Sequence, residues 1–231
     1  MKRYALRTRN FLEGYDTIPG VFFHQQFPGR VVLSFDDGPT EMTPRVAKLL
    51  SQHGIQGVFF MLGQRVAREP SIVREVDAAG HIIAIHSFSH PSFAELNARQ
   101  MGAEIDQTRQ AIDRALRDRY PKGYPHRYFR PPFGSTWTRE GSPRARRRLV
   151  DTLTRRWMMP VFWQVDSGDG QDTKVDHVIE RFYRELETSK GGVVLFHDTH
   201  KNLLPTLEKL IEELPQKGFQ FSRLSDLIGG F

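Results

Sequence analysis

The runs "VVL" at 31–33, "VFF" at 58–60 and "VVLF" at 193–196 are apolar at every position. A strand with one wet face alternates apolar and polar residues, whereas a strand apolar throughout must be covered on both faces, the habit of parallel strands packed beneath helices. The same reading predicts strands at 30–35, 57–61, 81–85, 127–129, 159–165, 192–196 and 219–221. Amphipathic segments lie between them. In "TPRVAKLLSQHG", Thr43 is the expected N-cap, Pro44 takes the first helical position and Gly54 stands just past the end. Between 99 and 117, Met101, Ile105, Ile112 and Leu116 fall near one helical face. Further helices are expected at 175–189, stopped by Gly191 and Gly192, and at 203–214. Repeated strand then helix means a parallel α/β fold, and a closed or nearly closed barrel suits 231 residues. No linker-like stretch interrupts the pattern, so one domain is expected across 1–231, with its core at about 30–227 and residues 1–29 as an N-terminal extension.

With 39% hydrophobic and 26% charged residues the chain has the composition of a folded globular protein. Its net charge of +6 is mostly arginine, much of it in "PRARRRLVDTLTRR" at 143–156. That segment reads as a helix with a solvated face, the alternative being a contact with a polyanion. The absence of cysteine excludes disulfides, thiolate catalysis and cysteine metal sites together. No run of 18 apolar residues is available to span a membrane, and "MKRYALRTRNFLEGYD" lacks an apolar stretch of signal-peptide length. A cytoplasmic chain, or one whose export leader has been removed, is the expectation.

The residues just past each strand narrow the chemistry. The first strand ends in Asp36 and Asp37, the third in His86 with His90 close behind, the fourth in Arg130, the fifth in Asp166 and Asp169, and "VVLF" in His197 and Asp198. Five strands thus deliver ionisable groups at their C-terminal ends, where parallel α/β barrels assemble active sites. Each piece alone has a plainer reading: "DDG" is a turn signal, "RPP" a stiff turn carrying a cation, His197 a structural histidine. Pro91 disfavours helix at His90, so "HSFSH" belongs on a loop. As a set they meet the needs of metal-assisted hydrolysis of an amide or ester. A carboxylate and two neutral imidazoles with a position left for water are a catalytic metal site; a second carboxylate can serve as base, a histidine as acid, and an arginine can hold the base.

In this order the motifs resemble those of the NodB-type polysaccharide deacetylases, carbohydrate esterase family 4, over about 30–227. The resemblance implies a distorted (β/α) barrel of about seven parallel strands. It implies Asp36 of "SFDDGP" as general base and Asp37 as metal ligand, with His86 and His90 of "HSFSH" as the other ligands. "RPPFG" is similar to the third motif, with Arg130 holding the base, Pro132 and Phe133 walling the groove, and the Phe133 N–H facing the oxyanion. "DSGDG" stands at the fourth, giving Asp169 as partner of the acid, and "LFH" at the fifth, giving Leu195 as pocket wall and His197 as general acid. The family commonly has tryptophan after the fourth motif's second aspartate, and here Gly170 stands there. Trp137, Phe133 or another side chain then fills the gap, or the pocket is wider.

The expected function is removal of N-acetyl groups from a glucosamine-type polysaccharide such as peptidoglycan or chitin. The alternatives are hydrolysis of another carbon–nitrogen bond in a small molecule or lipid-linked sugar, and an inactive glycan-binding protein. Zinc is the default metal, with cobalt, nickel and manganese able to take the same ligands. A monomer acting on an N-acetylated glycan, with no nucleic-acid partner, is expected, and the resemblance favours the cell envelope or secretion. Asp198 and His200 of "HDTH" are read as structural, the alternative being contacts at the rim.

Overall fold

The computed structural model describes residues 19–138, 141–172 and 174–228. The strands are β1 (Arg30–Gly38), β2 (Val58–Leu62), β3 (Ile82–Ser87), β4 (Tyr128–Phe129), β5 (Met159–Pro160), β6 (Val165–Asp166), β7 (Gly192–His197) and β8 (Gln220–Phe221). The helices are α1 (Thr43–Gln52), α2 (Gly63–Arg68), α3 (Pro70–Ala78), α4 (Ala98–Ala115), α5 (Pro143–Thr154), α6 (Val175–Ser189), α7 (Leu203–Gln216) and α8 (Leu224–Ile228). Strand order is β5-β4-β3-β2-β1-β7-β6, and every pairing is parallel. β8 pairs with Arg30 and Val31 of β1, just before β2 takes up pairing at Ser34. Seven strands therefore curl into a half-barrel whose two end strands do not pair with each other. The expected (β/α) architecture holds.

The apolar runs divide by parity. Val31, Leu33 and Phe35 of β1, Phe59 and Met61 of β2, and Val194 and Phe196 of β7 pack with Val46, Leu50, Phe182 and Leu207 of the surrounding helices. Val32, Val58, Phe60, Ala84 and Val193 form a second cluster on the inner face of the curled sheet. Asp36 continues the parity of Val32, and His86 that of Ala84, so the first carboxylate and the first imidazole leave their strands toward the inside.

Several boundaries differ from the sequence expectation. The segment expected as one strand at 159–165 is two short strands, because Gln164 turns its backbone N–H to Val193 while Phe162 gives its own to Val21. Val21 bridges Val161 in parallel and is fully buried, so part of the N-terminal extension lies across the gap between β5 and β6; residues 1–18 fall outside the described residues. Thr43 is the first residue of α1 rather than its cap, which falls on Met42, and its hydroxyl serves Asp198 instead. α2 and α3 were not among the expected helices: α2 is only six residues long, and Pro70 begins the next helix two residues later.

The arginine-rich segment forms α5 with its arginines divided between two environments. Arg146 is buried and donates to the carbonyls of Thr136 and Gly141, Arg148 reaches the Ala94 carbonyl, and Arg156 pairs with Asp106 of α4 through two bonds of 2.8 and 2.6 Å. Arg144, Arg147 and Arg155 are exposed. The segment is thus a helix with a solvated face, and its other face is anchored by arginine.

Phe35 stacks between Phe59 at 4.9 Å and Phe196 at 6.0 Å in the layer joining sheet to helices. Phe35→Ala is expected to lower stability by about 3–5 kcal/mol, read from the shift of the urea midpoint at unchanged slope.

Candidate active site

The C-terminal ends of β1, β3, β4 and β7 and the loop after β6 bring the expected residues together, and two irregularities in the sheet decide how. Pairing of β1 with β2 shifts register between Asp36 and Gly38, and pairing of β2 with β3 shifts between Met61 and Leu62, opposite His86. In an unbroken strand Asp37 would point away from Asp36, toward the helices. Instead Asp37 adopts φ +73°, a left-handed conformation, and its carboxylate turns toward the histidines. Ser87, His90, Phe133 and Thr136 also have positive φ (113°, 67°, 61° and 80°), so backbone that costs roughly 1–3 kcal/mol per residue is concentrated at this mouth. The packed barrel beneath holds it in place.

Asp37 Oδ1 lies 3.1 Å from His90 Nε2 and 3.5 Å from His86 Nε2, and one ligand atom from each of the three residues falls within 4.8 Å of the others. His86 Nδ1 is 2.9 Å from the Arg130 carbonyl, which fixes the proton on that nitrogen and turns the Nε2 lone pair toward Asp37. Asp37 Oδ1 is buried without a well-aligned hydrogen-bond partner among the described residues. Burial opposes the Asp37 charge, yet the His90 contact and the favourable field of the surrounding imidazoles hold its carboxyl well below the usual carboxylate range. Burial pushes His86 down from its ordinary value, against Asp36 and Asp37, so this imidazole stays neutral. An ionised carboxylate and a neutral imidazole lone pair aimed at one point are a donor set that suits a divalent cation.

Beside this cluster Arg130 is fully buried. Its Nη1 donates to Asp36 Oδ1 at 2.7 Å, its Nε to the Val161 carbonyl at 2.8 Å and its Nη2 to the Phe162 carbonyl at 3.4 Å, while the guanidinium lies 4.0 Å from the centre of the Phe60 ring. Asp36 Oδ2 stands 3.7 Å from His86 Nε2. On the other side His197 is held twice by Asp169: Nδ1 to Oδ1 at 2.8 Å, and the backbone N–H to Oδ2 at 2.7 Å. Burial works against a charged His197, but the Asp169 bond and charge, with Asp36 and Asp37, push it up to about 9. At neutral pH it carries a proton on Nε2.

The remaining expected residues separate. Phe133 is exposed at 62% and meets the His90 ring edge-on at 4.6 Å, and no hydrogen bond among the described residues takes up its backbone N–H. Pro132 is buried beside it. Leu195 is buried in β7, and Trp137 is buried among Phe22 and Phe162 at 5.7 and 5.2 Å, inside the core and beneath the surface of the groove. A Cβ placed on Gly170 would lie 3.4 Å from His197 Cε1, in ordinary van der Waals contact, so the glycine leaves that side of the imidazole uncovered. Asp166 turns away to Arg181 at 3.3 Å and the Gly168 N–H. Asp198 is fully buried, not at the rim, where burial and the nearby Asp37 and Asp36 push its carboxyl up to about 7 against the hydrogen bond from Thr43. His200 lies beside His197, ring centres 6.3 Å apart. Sequence reasoning did not single out the Val161 and Phe162 carbonyls that seat Arg130, nor the bond from Thr43 to Asp198; backbone acceptors carry no residue signature.

Comparison with known proteins places this half-barrel and its mouth in a family. The family model for polysaccharide deacetylases matches residues 25–152, and the chain belongs to that family, carbohydrate esterase family 4. It is 29% identical over 202 residues to a peptidoglycan-N-acetylglucosamine deacetylase of Bacillus cereus, covering 85% of this chain and 67% of that one. It is also 29% identical over 212 residues to a chitooligosaccharide deacetylase of Bradyrhizobium, covering 85% and 90%. The structure of a family 4 carbohydrate esterase from Streptomyces lividans in complex with acetate superposes with a TM-score of 0.71 at 32% identity, covering 87% of this chain and 95% of that one.

Truncating Arg130 would leave the Asp36 charge buried without its partner. Arg130→Ala is therefore expected to destabilise the protein by about 3–5 kcal/mol in chemical denaturation. A loss below about 1 kcal/mol would show that Asp36 finds other compensation.

Proposed function

We propose that the protein is a metal-dependent N-deacetylase of an N-acetylglucosamine-type glycan of the cell wall, acting at the cell envelope. The observation that carries this reading is the convergence of Asp37, His86 and His90 on one point, around a buried carboxylate oxygen that has no well-aligned partner, between Asp36 and the Asp169–His197 pair. Asp37, His86 and His90 would hold the divalent ion, with zinc the default for this mixed oxygen and nitrogen set. Such an ion supplies Lewis acidity, polarising the acyl oxygen and acidifying a water molecule.

The rest is the work of the chain. Asp36 Oδ2 takes a proton from the attacking water, while Arg130 on Oδ1 keeps that carboxylate in place. The Phe133 N–H donates to the oxyanion of the tetrahedral centre. His197 gives its Nε2 proton to the sugar nitrogen as the C–N bond breaks, and Asp169 fixes the ring so that Nε2 faces the substrate. Acetate and a free amine leave. The exposed Phe133 ring, with Pro132, offers one wall for a sugar ring, and Leu195 lies on the strand that carries the acid. The names of the two curated relatives support the substrate class.

Acetate release from N-acetylglucosamine oligomers and from peptidoglycan fragments tests this reading. Chelation should abolish turnover and added zinc restore it, and Asp36→Asn should lower kcat by about 10²–10⁴-fold. Equal release by wild type, chelated protein and Asp36→Asn would refute it.

The pH profile follows from His197. The acid acts only when protonated, so turnover should fall as pH rises through an upper limb at or below about 9, a bound cation drawing it lower. In Asp169→Asn the charge that raises the imidazole is gone, and the limb should move toward acid. An unmoved limb would assign it to another group.

A further inference from the structure

Outside the machinery described above, Asp198 is a buried carboxyl with no assigned task. Asp198 has no exposed surface, and its Oδ1 is buried without a partner among the described residues. It follows the acid strand directly, and its hydrogen bonds run to one segment, the turn that leaves β1. Its backbone N–H donates to the Asp36 carbonyl at 3.3 Å, and its own carbonyl accepts from the Thr40 hydroxyl at 2.6 Å. Its Oδ2 accepts from the Thr43 hydroxyl, which in turn accepts from the Thr40 N–H at 2.7 Å. The carboxylate also presses on Gly38, where a Cβ would lie only 2.5 Å from Oδ2 and 3.1 Å from Oδ1.

The turn between Asp36 and Thr43 is thus gripped at its start, at its middle and at its end by a single residue. Inside that grip lies Asp37, whose left-handed φ is disfavoured for an aspartate and persists only where neighbours over-determine it. We infer that Asp198 is a positioning residue, a bracket that holds the Asp36–Asp37 turn in the bulged conformation and so sets the distance from base to cation site. The consequence for metal rests on the functional reading above; the bracket itself does not. An acceptor at Oδ2 is what the geometry demands, and the amide oxygen of asparagine can supply it in the same place.

The experiment compares wild type, Asp198→Asn, Asp198→Ala and Thr43→Val, each first checked for native circular dichroism. Two readouts are taken: amide hydrogen exchange of residues 36–43, and zinc affinity by competition with a chromophoric chelator, joined by kcat and KM. In Asp198→Ala exchange should quicken within 36–43 and remain unchanged in β7 and α4. Zinc affinity should fall about 10–100-fold, the range seen when supporting partners of metal ligands are removed, with kcat reduced and KM held. Asp198→Asn should restore most of both. Thr43→Val should act in the same direction, and the double variant with Asp198→Ala should be no worse than Asp198→Ala alone.

Exchange in 36–43 that is unaltered in Asp198→Ala, or an asparagine variant as impaired as alanine, would overturn the bracket. Wild type that binds no zinc would overturn the functional reading instead, and the exchange data would still decide the bracket. A variant that loses stability uniformly, with zinc affinity and the ratio of kcat to KM unchanged, would assign Asp198 to general packing and overturn the inference.

Discussion

A guanidinium with no exposed surface is tolerable only where its charge is matched and its donors are used, and Arg130 meets both conditions at the mouth of the half-barrel. Much else hangs on that seat. Its side chain anchors Asp36 from β1 and the carbonyls that follow β5, while its own carbonyl receives His86 from β3. One residue at the end of a two-residue strand therefore correlates the positions of several others. Desolvation is what makes the arrangement stiff: the pair cannot part without leaving a bare charge over the Phe60 ring. A surface ion pair of the same length would have no such authority.

The two register shifts do for direction what the arginine does for position. Regular parallel strands deliver alternating side chains to opposite layers, so two adjacent carboxylates would be parted by the sheet itself. The bulge at Asp37 brings both to the same side, and the one opposite His86 falls at the matching height two strands away. Helix packing then bears the cost of the unusual backbone: Phe35 and Phe196 sit directly beneath, locked into the aromatic layer.

How much of this was legible in the sequence depends on what kind of interaction carried each part. Strands buried on both faces announce themselves, and the runs around Leu33, Phe59 and Val194 located the sheet and its parallel sense. The ionisable residues at strand ends were legible for the same reason, since Asp36, His86 and His197 interrupt apolar runs abruptly. Less was visible where backbone does the work. The splitting of 159–165, the insertion of Val21 and the carbonyls that hold Arg130 depend on main-chain groups that every residue possesses. Trp137 illustrates another limit: an aromatic beside a motif reads as groove wall, and its packing with Phe22 and Phe162 has no signal in the sequence. Asp198 read as structural or as a rim contact, and only its burial and its grip on the neighbouring turn distinguish the two.

The division of arginines on α5 alters what the charge of this protein means. A tally of the sequence treats every guanidinium as equivalent, but those of Arg130, Arg146 and Arg156 are engaged within the fold, whether by carboxylates or by carbonyls. On this segment an approaching polyanion, or the resin of an ion-exchange column, meets the exposed Arg144, Arg147 and Arg155. Of the six arginines between 143 and 156, three are therefore offered to an anionic surface, half of what that stretch of sequence advertises.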